Sequence, residues 1–460
     1  MLNVKDFGAV GDGATSDTYA LRRALAAGGE IYFPAGTYLT ATLELKSHTK
    51  LHFAPGAKLL ADLDKTDWIP AARDPESLHA KHPSPYFMPE EGRDEFGLLY
   101  AYRAKNIEIV GGTLAADDRA YCVKEPLSAV IADENSIFAP DYFRQPTFWL
   151  KPCRPRPKMM LFEKCENVSV SGLRVERAPC FSGWFLDCEN LRFEGLTVRN
   201  DYAQPSADGL HLSSCRNVLV SRGDFHCGDD CIAIDCTYGK PAENIRVENC
   251  VFETSIHAVR IYSGLDLDVV YGREKSAYVR GVKILGCRIR EACAVLLMNA
   301  CDGDLSDIEY KDTVAEQSFP GTALCITADE GKISDVTVEN LRFKGNGAGY
   351  FFAEKNGEIN GVTLKNCSLD VVPVPKMHGD DFDRMQTHAY SLPYALVMRG
   401  AKNVSLLNTE ISIAPVSAEG YTEEELGKLR AALGEEKFRA VFAPVKEPIF
   451  AHGCENVRIK

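Results

Sequence analysis

One short phrase recurs down this chain: an Asn, Asp or Gly, then an aliphatic residue that opens an alternating apolar run. It stands at Asn106-Ile, Asn167-Val, Asn190-Leu, Asn217-Val, Asn244-Ile, Gly281-Val, Asp307-Ile, Asp335-Val, Gly361-Val, Asn403-Val and Asn456-Val. From Asn167 to Gly361 the steps run from 23 to 28 residues, with one longer step of 37. Short strands repeating at such a period, with no helix between them, imply a solenoid in which each repeat buries its apolar face only against its neighbours. The leucine-asparagine frame of leucine-rich repeats is absent. A coil of two or three strands with polar turns, closing after about 25 residues, fits an all-β right-handed parallel β-helix. The column of Asn residues is expected to satisfy turn amides through its side chains.

A solenoid also accommodates the length, since 460 residues exceed an ordinary globular domain but not a repeat array. The expectation is a single domain over residues 1–460: a cap and first coils at 1–60, loop-rich coils at 67–157, regular coils at 158–415, and a helical insertion with the last coil at 416–460. Thr18 to Ala27 reads as a short capping helix, with Ser16 or Asp17 as its N-cap and Gly28-Gly29 as its stop. Thr422 to Val441 reads as the helical insertion. Asp67 to Phe96 and Asp117 to Pro157 are too long for turns and are expected to fold over one face and carry binding work. The second of them contains Trp149, Arg154 and Arg156.

A net charge of −13 argues against nucleic acid and anionic membrane surfaces as partners. No apolar run reaches the roughly eighteen residues of a membrane span. The N-terminus shows no basic start, apolar core and cleavage site, so the chain as written is expected in the cytoplasm, although one with its signal removed would look the same. Sixteen cysteines invite a metal or disulfide reading. Cys165, Cys188, Cys215 and Cys454 each stand two residues before an Asn, however, which marks stacked structural thiols. No metal and no cofactor is expected.

The chemistry concentrates between Ser206 and Ser263. Three segments there share one pattern: Asp208-Gly-Leu-His-Leu-Ser213, Asp230-Cys-Ile-Ala-Ile-Asp235 and His257-Ala-Val-Arg-Ile-Tyr262. Their third and fifth residues are aliphatic, the mark of a half-buried strand. Stacked in parallel at about 4.8 Å per strand, their first residues form a column of Asp208, Asp230 and His257, with Asp229 beside it. Crowding three acids raises at least one pKa, so that a proton is held near neutrality. Such a cluster suits general acid and base work, with a cation site or a solvated acidic patch as the bland alternative. His211 and Arg260 share the fourth position and are expected to point outward beside the acids, where a guanidinium could capture a carboxylate or sugar hydroxyls. His257, Tyr262 and Asp235 complete the expected substrate-binding set.

At these residues the sequence resembles glycoside hydrolase family 28, the polygalacturonases and their relatives. The resemblance rests on Phe7-Gly-Ala-x-Gly-Asp-Gly, Phe33-Pro-Ala-Gly-Thr-Tyr38, Arg156-Pro-Lys-Met-Met-Leu-Phe162, Asp208-Gly and Gly228-Asp-Asp230-Cys-Ile-Ala-Ile, and covers about residues 3 to 300. It implies inverting hydrolysis, with Asp229 as general acid and with Asp208 and Asp230 holding the water. The two carboxyls of an inverting enzyme stand about 6.5–9.5 Å apart to leave room for that water.

The departures are local. The family's Asn-Thr-Asp is Ser206-Ala207-Asp208, and its Gly-His-Gly is Ile256-His257-Ala258. Its Arg-Ile-Lys phrase falls on Cys293-Ala-Val-Leu-Leu-Met298, with Leu296 and Met298 in the Arg and Lys places. A Lys usual at the end of the Asp-Asp strand is Asp235. The expected substrate is therefore a pectin-derived or rhamnose- or uronate-containing oligosaccharide, taken from its end, rather than polygalacturonate. A lyase, epimerase or glycosyl transferase on the same scaffold, or a noncatalytic carbohydrate-binding β-helix, stays open.

Overall fold

Alternating aliphatic residues give this chain strands with one face that must leave water, and repetition lets each strand find its pairing edge in the next coil. A computed structural model describes residues 1–460 except 65, 74, 82–94, 127–147, 205, 237–238, 265–276, 317–320, 346, 373–393, 416–417, 419–421 and 445–446. The chain is a right-handed parallel β-helix of three long sheets, with 14, 13 and 12 strands among the described residues. Each regular coil passes through the sheets in turn, as in Glu166–Ser171, Arg174–Glu176 and Gly183–Leu186. Inward side chains stack coil on coil. Leu210, Ile232, Val259 and Leu296 pair in register and are fully buried. One apolar cluster runs through the solenoid from Val4 to Leu406.

The recurrent Asn, Asp or Gly has a backbone cause. Asn167, Asn190, Asn217 and Asn244 sit at φ of 56–58°, Asp307 and Asp335 at 54°, and Gly281 and Gly361 at 72° and 85°. Each coil turns a corner in the left-handed region, which glycine, Asn and Asp enter at least cost. The asparagine side chains bond to one another instead of to turn amides. Asn167 donates to Asn106, Asn190 to Asn167, Asn217 to Asn190 and Asn244 to Asn217, at 3.0–3.2 Å. A polar ladder thus lines the corner.

Helix Thr18–Ala27 packs Ala20, Leu21 and Ala24 into the first coils. Asp17 occupies its N-cap position, but the side chain does not cap it. The carboxylate accepts from the backbone of Val10 and Gly11 instead (2.5 and 2.9 Å), tying the Gly-rich N-terminal turn to the helix. A second helix, Glu423–Val441, breaks at Gly434. Among the described residues no helix is long and apolar enough to cross a membrane.

The two long excursions are described in part. Ala71 and Leu78 lie against the outer face of the third sheet, where they pack with Tyr100, Leu161, Phe181 and Trp184. The buried Glu163 carboxylate fixes them there, accepting from Ser77 Oγ (2.5 Å) and the Leu78 amide (2.7 Å). The other excursion contributes an antiparallel pair, Cys122–Pro126 with Phe148–Pro152. Arg156 is buried and donates to the Pro179 carbonyl. The side chain of Trp149 and the middle of both excursions lie outside the described residues.

Candidate active site

Three consecutive strands of the third sheet, Leu210–Ser213, Ile232–Asp235 and His257–Ser263, carry the acid cluster. Leu210 pairs with Ile232, and Ile232 with Val259, so the residues two positions before them, Asp208, Asp230 and His257, fall into one column. Backbone bonds from Gly209 to the Asp230 carbonyl and from Cys231 to the His257 carbonyl hold it (2.9 and 3.0 Å). His257 Nδ1 lies 2.6 Å from Asp230 Oδ1, and Arg260 Nη1 lies 3.6 Å from Asp230 Oδ2.

Exposure divides the cluster. Asp208, Asp230 and His257 are only 2–3% exposed, while Asp229 and Arg260 remain partly open. Asp229 accepts backbone N–H bonds from Ser206 and Asp230, both at 3.0 Å. Enclosure by protein, followed by the neighbouring carboxylates of Asp208 and Asp230, nevertheless pushes its carboxyl well above the usual range. Burial acts on Asp230 in the same sense, but His257, Arg260 and His211 outweigh it and hold that carboxyl below its ordinary value. Asp208 is raised by burial, against the pull of His211. Adjacent acids are thereby driven apart, Asp229 toward holding its proton and Asp230 toward losing it.

Four residues of the expected binding set, His211, Asp235, His257 and Tyr262, are enclosed instead of lining an open cleft. His211 and Asp235 are 2% and 1% exposed, and Tyr262 is fully buried. His211 does point to the outer face, yet it bonds to Asp208 through Nδ1 and to Asp235 through Nε2, each at 2.9 Å. Tyr262 Oη lies 3.1 Å from the same Nε2. The Arg260 guanidinium stacks 4.3 Å above the Tyr262 ring. Of the expected binding set, Arg260 alone retains partial exposure. The register also corrects the following strand. Arg260 pairs with Leu297 and Tyr262 with Asn299, while Leu296 and Met298 pair with Val259 and Ile261 and point into the core. The outward positions beside Arg260 and Tyr262 are thus Leu297 and Asn299, neither of them charged.

Three contributors escaped the sequence reading. Ser206 supplies an amide to Asp229. Ser213 Oγ donates to Asp235 Oδ2 (2.6 Å) and accepts from Trp184 Nε1 (3.1 Å). Trp184 is the register partner of His211 one coil earlier, a position the repeat alignment could have reached had it been extended back to Gly183-Trp-Phe-Leu186. The outer face of the third sheet is apolar and buried on both sides of the site: Leu161, Phe181 and Trp184 on one, Leu297, Cys325, Tyr350 and Val397 on the other. Among the described residues, no group of three or more His, Cys, Asp or Glu side chains is arranged to hold a metal ion. All sixteen cysteines are free thiols; Cys165, Cys188 and Cys215 are buried, and Cys454 is partly exposed.

The family description "Glycosyl hydrolases family 28" matches residues 144–379, just over half the chain. This protein belongs to glycosyl hydrolase family 28. Residues 1–58 match a second description, "Rhamnogalacturonase A/epimerase, pectate lyase-like". A "Probable polygalacturonase" of Vitis vinifera is 24% identical over 432 residues, covering 79% of either chain. The structure of a family 28 exopolygalacturonase from Yersinia enterocolitica superposes with a TM-score of 0.61 at 16% identity, covering 99% of this chain and 77% of that one. PfbA, a surface adhesin of Streptococcus pneumoniae, superposes with a TM-score of 0.53 at 17% identity, covering 91% and 93%. The same coil therefore underlies both a family 28 enzyme and an adhesin, and activity has to be argued from the acids.

Proposed function

We propose that this family 28 chain is an inverting glycoside hydrolase that removes the terminal sugar from short pectin-derived oligosaccharides. Asp229 donates the proton to the departing glycosidic oxygen, and Asp208 and Asp230 orient and deprotonate the attacking water. The observation that carries this reading is the opposed setting of two adjacent acids: Asp229, partly open and accepting two backbone N–H bonds, beside Asp230, buried against His257 and Arg260, which raises the first carboxyl and lowers the second. Binding alone has no use for that opposition, because a protonated acid next to an ionised one is a device for moving protons. Likeness to the probable polygalacturonase of Vitis vinifera supports pectin as the source. Ala71 and Leu78, packed with Trp184 on one side of the site, support an end-on approach by covering that part of the sheet face.

Arg260 is the anchor for a carboxylate or a pair of hydroxyls on the bound sugar, being cationic, partly open and held flat by Tyr262. Leu297 and Asn299 add no second cation beside it, so a continuous polyuronate fits less well than one uronate or a deoxy sugar. Purified protein would be screened against pectic oligosaccharides and aryl glycosides, with product anomers followed by NMR. Release of single sugars with inverted anomers is expected. An unsaturated product absorbing in the ultraviolet would replace hydrolysis by elimination, and no turnover of any member would leave a binding protein. Arg260→Met is expected to raise KM for a uronate-terminated substrate by roughly 10–150-fold, the loss of one charged hydrogen-bond partner, with a smaller change for a neutral one. Equal effects on both would remove the anchor.

A further inference from the structure

Directional hydrogen bonding runs beneath the acids from Trp184 to Asp208. An indole N–H can only donate, so Ser213 Oγ accepts from Trp184 and spends its own proton on Asp235 Oδ2. That oxygen is therefore an acceptor, and His211 Nε2, 2.9 Å away, meets it best as a donor, with Tyr262 Oη 3.1 Å from the same nitrogen. The other ring nitrogen then faces Asp208 Oδ2 at 2.9 Å with two possibilities. Either the ring is an imidazolium and Asp208 a carboxylate, or the ring is neutral and Asp208 is a carboxylic acid useless for activating water. We propose that His211 is a positioning residue, a buried cation clasped between Asp208 and Asp235 that keeps Asp208 ionised and aims it at the water.

This inference deepens the hydrolase reading and rests on it for the identity of the water-holding acid. The surroundings favour the charged form. Burial by itself would lower His211, but the carboxylates of Asp208 and Asp235 outweigh it and push the ring up to about 9. On the remaining sides stand the rings of Phe181 (4.8 Å), Trp184 (6.0 Å) and Tyr262 (6.2 Å). Among the described residues, other charges around it are the Arg260 guanidinium over Tyr262, Asp230, and the buried Lys158 and Glu95 pair, whose ammonium lies 5.8 Å from the Phe181 and Trp184 ring centres. Asp235 therefore has a function of its own: a second anion that lets a buried imidazole stay charged.

The full chain, labelled with nitrogen-15 in its ten histidines, tests this directly by NMR. The His211 ring is expected to be doubly protonated at pH 7 and to titrate near 9. Asp235→Asn, nearly the same shape, should bring that titration down by about 1 unit or more. In His211→Gln the acid limb of kcat/KM, on the substrate found in the screen, should move to higher pH by about 1 unit or more with KM little changed, because Asp208 has lost its cation. Linkage gives a second readout. A ring raised from 6.5 to about 9 stabilises the fold fully below pH 6.5, and that stability drains away as pH rises to 9. Tm should fall across this window in the native chain and less steeply in Asp235→Asn. A neutral ring at pH 7, unmoved by Asp235→Asn, overturns the clasp even where hydrolysis is observed. A doubly protonated ring without turnover of any glycoside keeps the clasp and removes the hydrolase reading. Should His211→Gln fail to fold, the Asp235→Asn titration decides alone.

Discussion

Asp229→Asn is expected to lower kcat by about 10²–10⁴-fold with little change in KM, the range for removing a general acid. Asn has the shape of the acid but no proton to give to a departing sugar oxygen. Its amide can accept only one of the two backbone N–H bonds that Asp229 now receives from Ser206 and Asp230. A loss of about 1 kcal/mol in folding stability should therefore accompany the loss of rate. Initial rates of sugar release, with Tm recorded alongside, separate the two effects. The pH profile of the native enzyme gives the same assignment independently. Because the Asp229 carboxyl is raised well above the usual range, the protonated form persists toward neutrality, and activity should fall as pH climbs through that raised value. Retention of more than about a tenth of the native rate by Asp229→Asn would remove the residue from its role.

Gly228→Ala should disable the enzyme although the residue carries no functional group. A Cβ at this position would run into the carbonyl oxygens of both Asp201 and Gln204, and backbone cannot swing aside as a side chain can. Either the 201–204 turn retreats or Asp229 and Asp230 shift with their strand. Overpacking of this kind costs about 1–3 kcal/mol. A displacement of about 1 Å in a catalytic carboxyl can cost about 10²-fold in rate. The expected result is a lower Tm together with kcat reduced by about that factor, while a peripheral control such as Ser412→Ala leaves both alone. Native kinetics in Gly228→Ala would mean that the turn yields freely and that the glycine is there for another reason. This close approach explains why a glycine stands immediately before the paired acids, where the sequence showed only a Gly-Asp-Asp phrase.

Much of the architecture could be read in advance because a parallel coil translates sequence period into geometry with few intermediate choices. Side chains alternate in and out at period two, and each coil restarts at a corner that Asn, Asp and Gly enter readily. Stacking Leu210, Ile232 and Val259 inward therefore puts Asp208, Asp230 and His257 into one column, as their register does. The same rule failed where a register had to be guessed without its corner. Counting by family phrase put Leu296 and Met298 outward, but the need to stack aliphatics on Val259 and Ile261 turns them into the core and leaves Leu297 and Asn299 outside.

The sequence by itself determined the coil, the three-strand column of acids and the local phrases that mark the family, since all of these follow from spacing along one chain. Tertiary structure alone decided which of the ionisable groups meets solvent. Outward parity on a strand means exposure only if nothing lies on top. Here Ala71, Leu78 and the rings of Phe181 and Trp184 lie against the same outer face. His211, Asp235 and Tyr262 were thereby enclosed and joined into a proton network, while Asp229 and Arg260 kept their opening. Charge states followed from that enclosure: a carboxyl's affinity for its proton depends on water and on neighbours from other coils, and neither is written in the order of residues.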